Sequence, residues 1–348
     1  MDRTIEPLVP EGVFEPDGHY FDTPTYGLAP LATYESVVGA AQRWRAGRAT
    51  MGEYDEAVDR SRQLFARIVG VEASSVAIGA NVSSLVGPVA AGLTPGSTIL
   101  APLGEFTSLL FPLLVNRGLT VRTVPLAEIA GSIDESIDVV AFSLVQSSNG
   151  EVADSTSIVE AARRHQVRTL VDATHAAGWL PFEARDFDFV FVAAYKWLMC
   201  PRGVAFMIMH SDLEPPTTNA GWYSGEDPWA SIYGEPLRLA ASARRFDTSP
   251  AWIPWVGAVP SLELIDSLGV DRIHAHDVAL ANAVRAGVGL DDSTSAMVTL
   301  SMPRPDRLTE AGIKASVRVA SVRLGFHVHN SSSDVDALLE VLTEGGGP

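Results

Sequence analysis

Between residues 76 and 208 the chain alternates short, largely apolar runs with stretches of helical pattern. The runs are Val76-Ala77-Ile78, Thr98-Ile99-Leu100-Ala101, Leu119-Thr120-Val121-Arg122-Thr123-Val124, Val139-Val140-Ala141-Phe142-Ser143-Leu144, Arg168-Thr169-Leu170-Val171, Phe189-Val190-Phe191-Val192 and Val204-Ala205-Phe206-Met207-Ile208. Continuous apolar runs suit strands covered on both faces. Their exchange with helices predicts an α/β fold around a mostly parallel, seven-stranded sheet. In such sheets ligands gather beyond the carboxyl ends of the strands.

The flanks read differently. Residues 1–30 are irregular, and 31–70 carry two amphipathic helical patterns. Residues 211–250 are rich in loops, residues 252–290 are helical, and the rest alternates strand and helix. This predicts an N-terminal segment (1–30), a large domain (31–250) and a smaller C-terminal α/β domain (251–348). With 47% apolar residues, 348 residues can bury a sizeable core. The net charge of −17 argues against nucleic acid or an anionic membrane surface as partner. No apolar run approaches the ~20 residues of a membrane span. Met1 to Glu6 carry no apolar signal core, so a cytoplasmic protein is expected. Cys200 is the one cysteine, which rules out an internal disulfide and a cysteine-based metal cluster, and no metal is expected.

Two charged residues stand at the ends of apolar runs. Lys196 follows Val190-Phe191-Val192-Ala193-Ala194-Tyr195, and Asp172 follows Leu170-Val171. Burial disfavours an ammonium ion, and the neutral amine is a nucleophile toward aldehydes. A strand-end lysine alone is also what a snorkelling side chain looks like. Paired with an acid at a neighbouring strand end, it matches the needs of pyridoxal 5'-phosphate. The lysine takes the aldehyde as a Schiff base, and the carboxylate keeps the pyridine nitrogen protonated so that the ring accepts electrons. A nucleotide module is poorly supported, since neither a Gly-x-Gly-x-x-Gly nor a Walker-type Gly-Lys-Ser/Thr motif follows a strand.

Asp172-x-x-His175-x-x-Gly178, Tyr195-Lys196-Trp197-Leu198 and Pro201-Arg202-Gly203 together resemble the class V aminotransferase family of fold-type I pyridoxal phosphate enzymes. That family includes cysteine desulfurases, isopenicillin N epimerase-like proteins, kynureninases and ergothioneine-type C–S lyases. The resemblance runs from about Tyr20 to Leu342. It implies that residues 1–30 contribute to the active site and to the small domain.

Carried over residue by residue, the resemblance puts His175 near the cofactor's 3'-oxygen and Phe106 on the pyridine face. Asn81, Val82 and Ser83 fall at the family's phosphate cradle, a helix start with open N–H groups. Tyr195 stands where relatives aim His or Ser at the phosphate, and either phosphate binding or proton donation is open to it. Gln146 and Ser147 match a polar pair that touches the cofactor oxygen or the substrate carboxylate. Arg323 matches the arginine for the substrate α-carboxylate, a pairing a planar guanidinium makes with two parallel bonds. Arg318 beside it reads as a structural charge. Thr248 and Ser249 fall where a neighbouring subunit reaches the phosphate, which implies a homodimer. Tyr26 and Trp222 are candidate substrate contacts, although Trp222 and Trp197 also read as packing residues.

Family desulfurases carry a mobile cysteine shortly before the carboxylate-binding arginine, and Met302 to Ile313 contain none. A persulfide-forming desulfurase is therefore not expected. The expected activity is a C–S lyase that performs β-elimination on a cysteine S-conjugate, a small amino-acid substrate of secondary metabolism. Lys196 would act as Schiff base and general base and Tyr195 as acid toward sulfur, with thiol, pyruvate and ammonia as products. Competing readings are an aminotransferase or a decarboxylating deaminase on a similar substrate, and an inactive cofactor-binding scaffold.

Overall fold

The computed structural model describes residues 4–302, 304–318 and 321–343. In chain order the elements are β1 (His19–Tyr20), α1 (Leu31–Arg45), α2 (Met51–Ile68), β2 (Val76–Gly79), α3 (Val82–Gly92), β3 (Thr98–Pro102), α4 (Thr107–Leu114), β4 (Thr120–Val124), β5 (Val139–Ser143), α5 (Ser155–His165), β6 (Arg168–Asp172), β7 (Phe189–Ala193) and β8 (Ala205–Met209). There follow α6 (Trp252–Leu268), α7 (Val270–Gly287), β9 (Met297–Ser301), α8 (Asp306–Glu310), β10 (Ile313–Lys314), β11 (Ser316–Arg318), β12 (Ser321–Gly325) and α9 (Ser332–Thr343).

All seven apolar runs become strands of one sheet, ordered β2-β8-β7-β6-β5-β3-β4. The pairs from β4 through β7 are parallel, and β8 runs antiparallel between β7 and β2. Alternate residues feed two cores, as strand geometry demands. Ile78, Leu100, Phe142, Val171, Val190 and Phe206 pack with α2, α5 and α6. Ala77, Ile99, Ala141, Leu170, Phe191 and Met207 pack with α3 and α4. The central strands are therefore buried on both faces, whereas edge strand β4 exposes Thr120, Arg122 and Thr123.

A third core joins Phe21 to Leu280 and Val284 of α7, Val298 of β9, Val322 and Leu324 of β12, and Leu338 of α9. Strands β11, β12 and β9 form its antiparallel sheet, and β1 pairs with β10. Of the N-terminal segment, Ile5 and Phe21 pack in this core, whereas Leu8, Val9 and Phe14 pack against the large-sheet core. Trp255, Leu262 and Ile265 of α6 pack in the large-sheet core, because α6 lies against α1 and α2. Within α7, Ile273 and Val278 pack with the large-sheet core and Leu280 and Val284 with the third core, while Met297 and Val328 beyond it return to the large-sheet core. The side chain of Arg318 lies outside the described residues. Among the described residues no helix is long and apolar enough to cross a membrane.

Candidate active site

Gly79 of β2 and Ala193 of β7 both stand opposite Ala205. The carboxyl ends of β2, β3, β5, β6 and β7 therefore share one edge of the sheet. The turns leaving that edge carry Asn81, Phe106, Ser147, His175 and Lys196, so topology gathers residues far apart in sequence.

Lys196 is buried, with Nζ 2.6 Å from His175 Nε2 and 5.3 Å from the centre of the Phe106 ring. The turn that presents it is tightly built. Met199 adopts φ +53°, a left-handed conformation that a side chain disfavours, while its N–H donates to the Lys196 carbonyl at 3.0 Å. Gly27 donates to the Tyr195 carbonyl at 2.8 Å, and a Cβ at Gly27 would run into the Lys196 carbonyl oxygen. Gly178, at φ +108°, makes a similar close approach to the Trp197 carbonyl.

Asp172 ends β6 with its carboxylate buried and accepts a hydrogen bond from the Thr174 N–H at 2.8 Å. Burial pushes its pKa up to about 6. The Thr174 hydrogen bonds oppose the rise, and the nearby Glu105 carboxylate adds to it. Glu105, also buried, accepts from the Ser143 N–H, the Ser143 hydroxyl, Gln146 Nε2 and the Phe106 N–H, at 2.8, 2.5, 3.0 and 2.6 Å. One carboxylate thus ties the end of β5 to the turn that presents Phe106.

Arg323 projects from β12 of the small domain and is fully buried. Its guanidinium donates to Thr25 Oγ1 at 3.0 Å, to the Ser147 carbonyl and to Ser147 Oγ at 3.4 Å. Ser147 Oγ also lies 3.2 Å from His175 Nε2. An unbroken run of polar contacts therefore links Arg323, Ser147, His175 and Lys196.

Tyr195 is half-buried, its ring 5.8 Å from that of Tyr26 and 5.0 Å from the Arg202 guanidinium carbon. Burial raises the Tyr195 pKa against the opposing pull of Arg202, so its phenol stays protonated at neutral pH. Asn81 caps α3, accepting from the Ser84 N–H at 2.9 Å and from the Ser83 hydroxyl at 2.8 Å. Trp222, Thr248 and Ser249 lie away from this group. Trp222 packs on Tyr223 and Trp229, on the side where Tyr223 donates to Asp55 of α2. Thr248 and Ser249 follow Asp247, whose carboxylate accepts from Arg62 and from the Ile78 N–H, which anchors them beside β2, two strands from β7. Sequence reading passed over Glu105 and Thr25. It also passed over a usable signal for Lys196, since the chain has just two lysines and the other, Lys314, is exposed on β10.

A family model described as aminotransferase class V matches residues 34–310. The chain belongs to the class V aminotransferase family. Among curated relatives of this class V enzyme, isopenicillin N epimerase of Amycolatopsis lactamdurans is 27% identical over 335 residues, covering 82% of this chain and 84% of the relative. The uncharacterized aminotransferase YcbU of Bacillus subtilis is 27% identical over 262 residues, covering 70% and 66%. Among solved structures, a cystine C–S lyase with bound cysteine persulfide superposes with TM-score 0.83 at 21% identity, covering 94% of this chain and 97% of that one. A cysteine desulfurase from Thermococcus onnurineus gives TM-score 0.81 at 20% identity, covering 94% of each. These superpositions establish the fold-type I architecture. Family and structures together indicate pyridoxal phosphate as the cofactor.

The residues present fit that cofactor. The buried Asp172 carboxylate, with its raised pKa, suits a cationic ring nitrogen as partner. Lys196 supplies a buried amine, Phe106 a flat ring beside it, and the start of α3 open N–H groups for a phosphate.

Proposed function

We propose that this class V enzyme is a C–S lyase that releases thiol, pyruvate and ammonia from a cysteine S-conjugate and water. The carrying observation is the Arg323–Ser147–His175–Lys196 run, which sets a carboxylate-binding cation and an amine base on one path. In this reading Asp172 holds the pyridine nitrogen, Phe106 covers the ring face and His175 faces the 3'-oxygen with Gln146 nearby. Asn81, Val82 and Ser83 hold the phosphate. Thr248 and Ser249 reach the phosphate of a second copy, so the working unit is a homodimer, acting in the cytoplasm.

Bound pyridoxal phosphate supplies an electron sink for charge developing at Cα. Arg323 binds the substrate α-carboxylate, with Thr25 and Ser147 fixing the guanidinium so that little orientation is lost on binding. Lys196 Nζ takes the proton from Cα. The Tyr195 phenol, protonated at neutral pH, gives a proton to the departing sulfur, and Tyr26 lines the approach.

Elimination is favoured over persulfide transfer because Cys200 is out of reach. Its thiol is buried, donates to the Leu198 carbonyl at 3.4 Å and has its pKa pushed up by burial. A second reading, epimerisation at Cα, is supported by the epimerase relative of Amycolatopsis. Incubating the holoenzyme with a panel of S-substituted cysteines and identifying products by mass spectrometry separates these. Pyruvate with free thiol supports elimination. Inverted amino acid, released carbon dioxide or dependence on an oxo-acid acceptor rejects it.

A further inference from the structure

We propose that Trp197 is a positioning residue that fixes the tautomer of His175, and through it the state of Lys196. An indole N–H can only donate. Trp197 Nε1 donates to His175 Nδ1 at 3.3 Å, so Nδ1 carries no proton and the proton of the neutral ring sits on Nε2. Nε2 is the nitrogen that faces Lys196 Nζ at 2.6 Å and Ser147 Oγ at 3.2 Å. Two N–H groups cannot point at each other over 2.6 Å, so the Lys196 lone pair accepts the imidazole proton. The indole thereby keeps Lys196 a neutral amine, the form that attacks an aldehyde.

The indole is itself held. Trp197 is fully buried between Trp179, at 5.4 Å, and His327, at 5.3 Å between ring centres. Its carbonyl accepts from His327 Nε2 at 2.8 Å, and His327 Nδ1 meets the buried Asp277 carboxylate of α7 at 3.0 Å. Asp277 is fixed in turn by His276 Nδ1 at 2.8 Å. A Cβ at Gly325 would touch the indole edge, which leaves the ring no room to swing. The small domain therefore holds the group that sets His175. None of this depends on which amino acid is the substrate.

The test is nitrogen NMR on cofactor-free protein labelled with 15N-histidine at neutral pH, with His175→Gln used to assign the resonances. Wild type should show a pyridine-type Nδ1 and a pyrrole-type Nε2 at His175. Trp197→Phe keeps the packing and removes the donor, and should shift the tautomer ratio roughly 5- to 10-fold toward the Nδ1–H form, the worth of one hydrogen bond. Trp179→Phe, which loses an indole bond of 2.6 Å to the His175 carbonyl rather than to its ring, should leave the ratio unchanged. A proton on Nδ1 in wild type, an unchanged ratio in Trp197→Phe, or an equal shift in Trp179→Phe would overturn the proposal. If Trp197→Phe does not fold, the wild-type spectrum still decides it: a pyridine-type Nδ1 together with a hydrogen-bonded Trp197 Nε1–H supports the proposal, and a protonated Nδ1 or an indole N–H without that bond overturns it.

Discussion

Arg323 Nη2 lies 3.0 Å from Thr25 Oγ1, joining β12 to the N-terminal loop that runs on to Gly27. A guanidinium held this way is ready to pair with a carboxylate. Arg323→Lys keeps the charge but loses the planar fork, and should raise KM for amino-acid substrates by about 10- to 100-fold. Thr25→Val should raise it about 3- to 10-fold. Steady-state kinetics on both variants checks this, and unchanged KM values would remove Arg323 from the substrate site.

Asp172 holds its proton more tightly in the folded chain than in the unfolded one, so from pH 3.8 to about 6 the folded state carries the extra proton. The stability tied to this group is present at low pH and lost as pH rises through that window, by about 3 kcal/mol in all. Asp172→Asn removes the penalty. Cofactor-free Asp172→Asn should melt about 4 °C higher than cofactor-free wild type above pH 7 and equally near pH 4. It should also bind the cofactor less tightly. Melting curves across pH, with and without pyridoxal phosphate, give both readouts.

Glu105 accepts from two backbone N–H groups, a hydroxyl and an amide within the buried turn region. Glu105→Gln would set an NH2 group against some of these donors. We expect a loss of about 2–4 kcal/mol in urea denaturation, since several charge-assisted hydrogen bonds fail together. A loss below about 1 kcal/mol, the worth of one ordinary hydrogen bond, would show that the network is not holding the turn.

The strand frame was legible because buried parallel strands leave a continuous apolar trace, and Lys196 and Asp172 stood out as charges at the ends of that trace. Glu105 did not stand out. Its role depends on donors 38 and 41 residues away, which only the sheet order brings near. Trp197 was legible as a packing residue, but the direction of its indole N–H toward His175 depends on the Met199 turn and the His327 contact. The place of α6 is not legible in the sequence for a related reason. Its apolar face matches either core, and contact with α1 and α2 decides between them.

Cys200→Ala separates lyase from sulfur carrier. The side chain is a small buried hydrophobe, so the change should cost about 1 kcal/mol of stability and leave turnover within twofold. Loss of turnover with an intact fold would restore the desulfurase reading.

Borohydride reduction of the holoenzyme followed by peptide mapping bears most directly on the site. Reduction locks the cofactor carbon onto whichever amine holds it, and the chain offers two lysines. The proposed chemistry requires the added pyridoxyl mass on the peptide that contains Lys196. The same mass on the peptide containing Lys314, or no adduct on either, would contradict it.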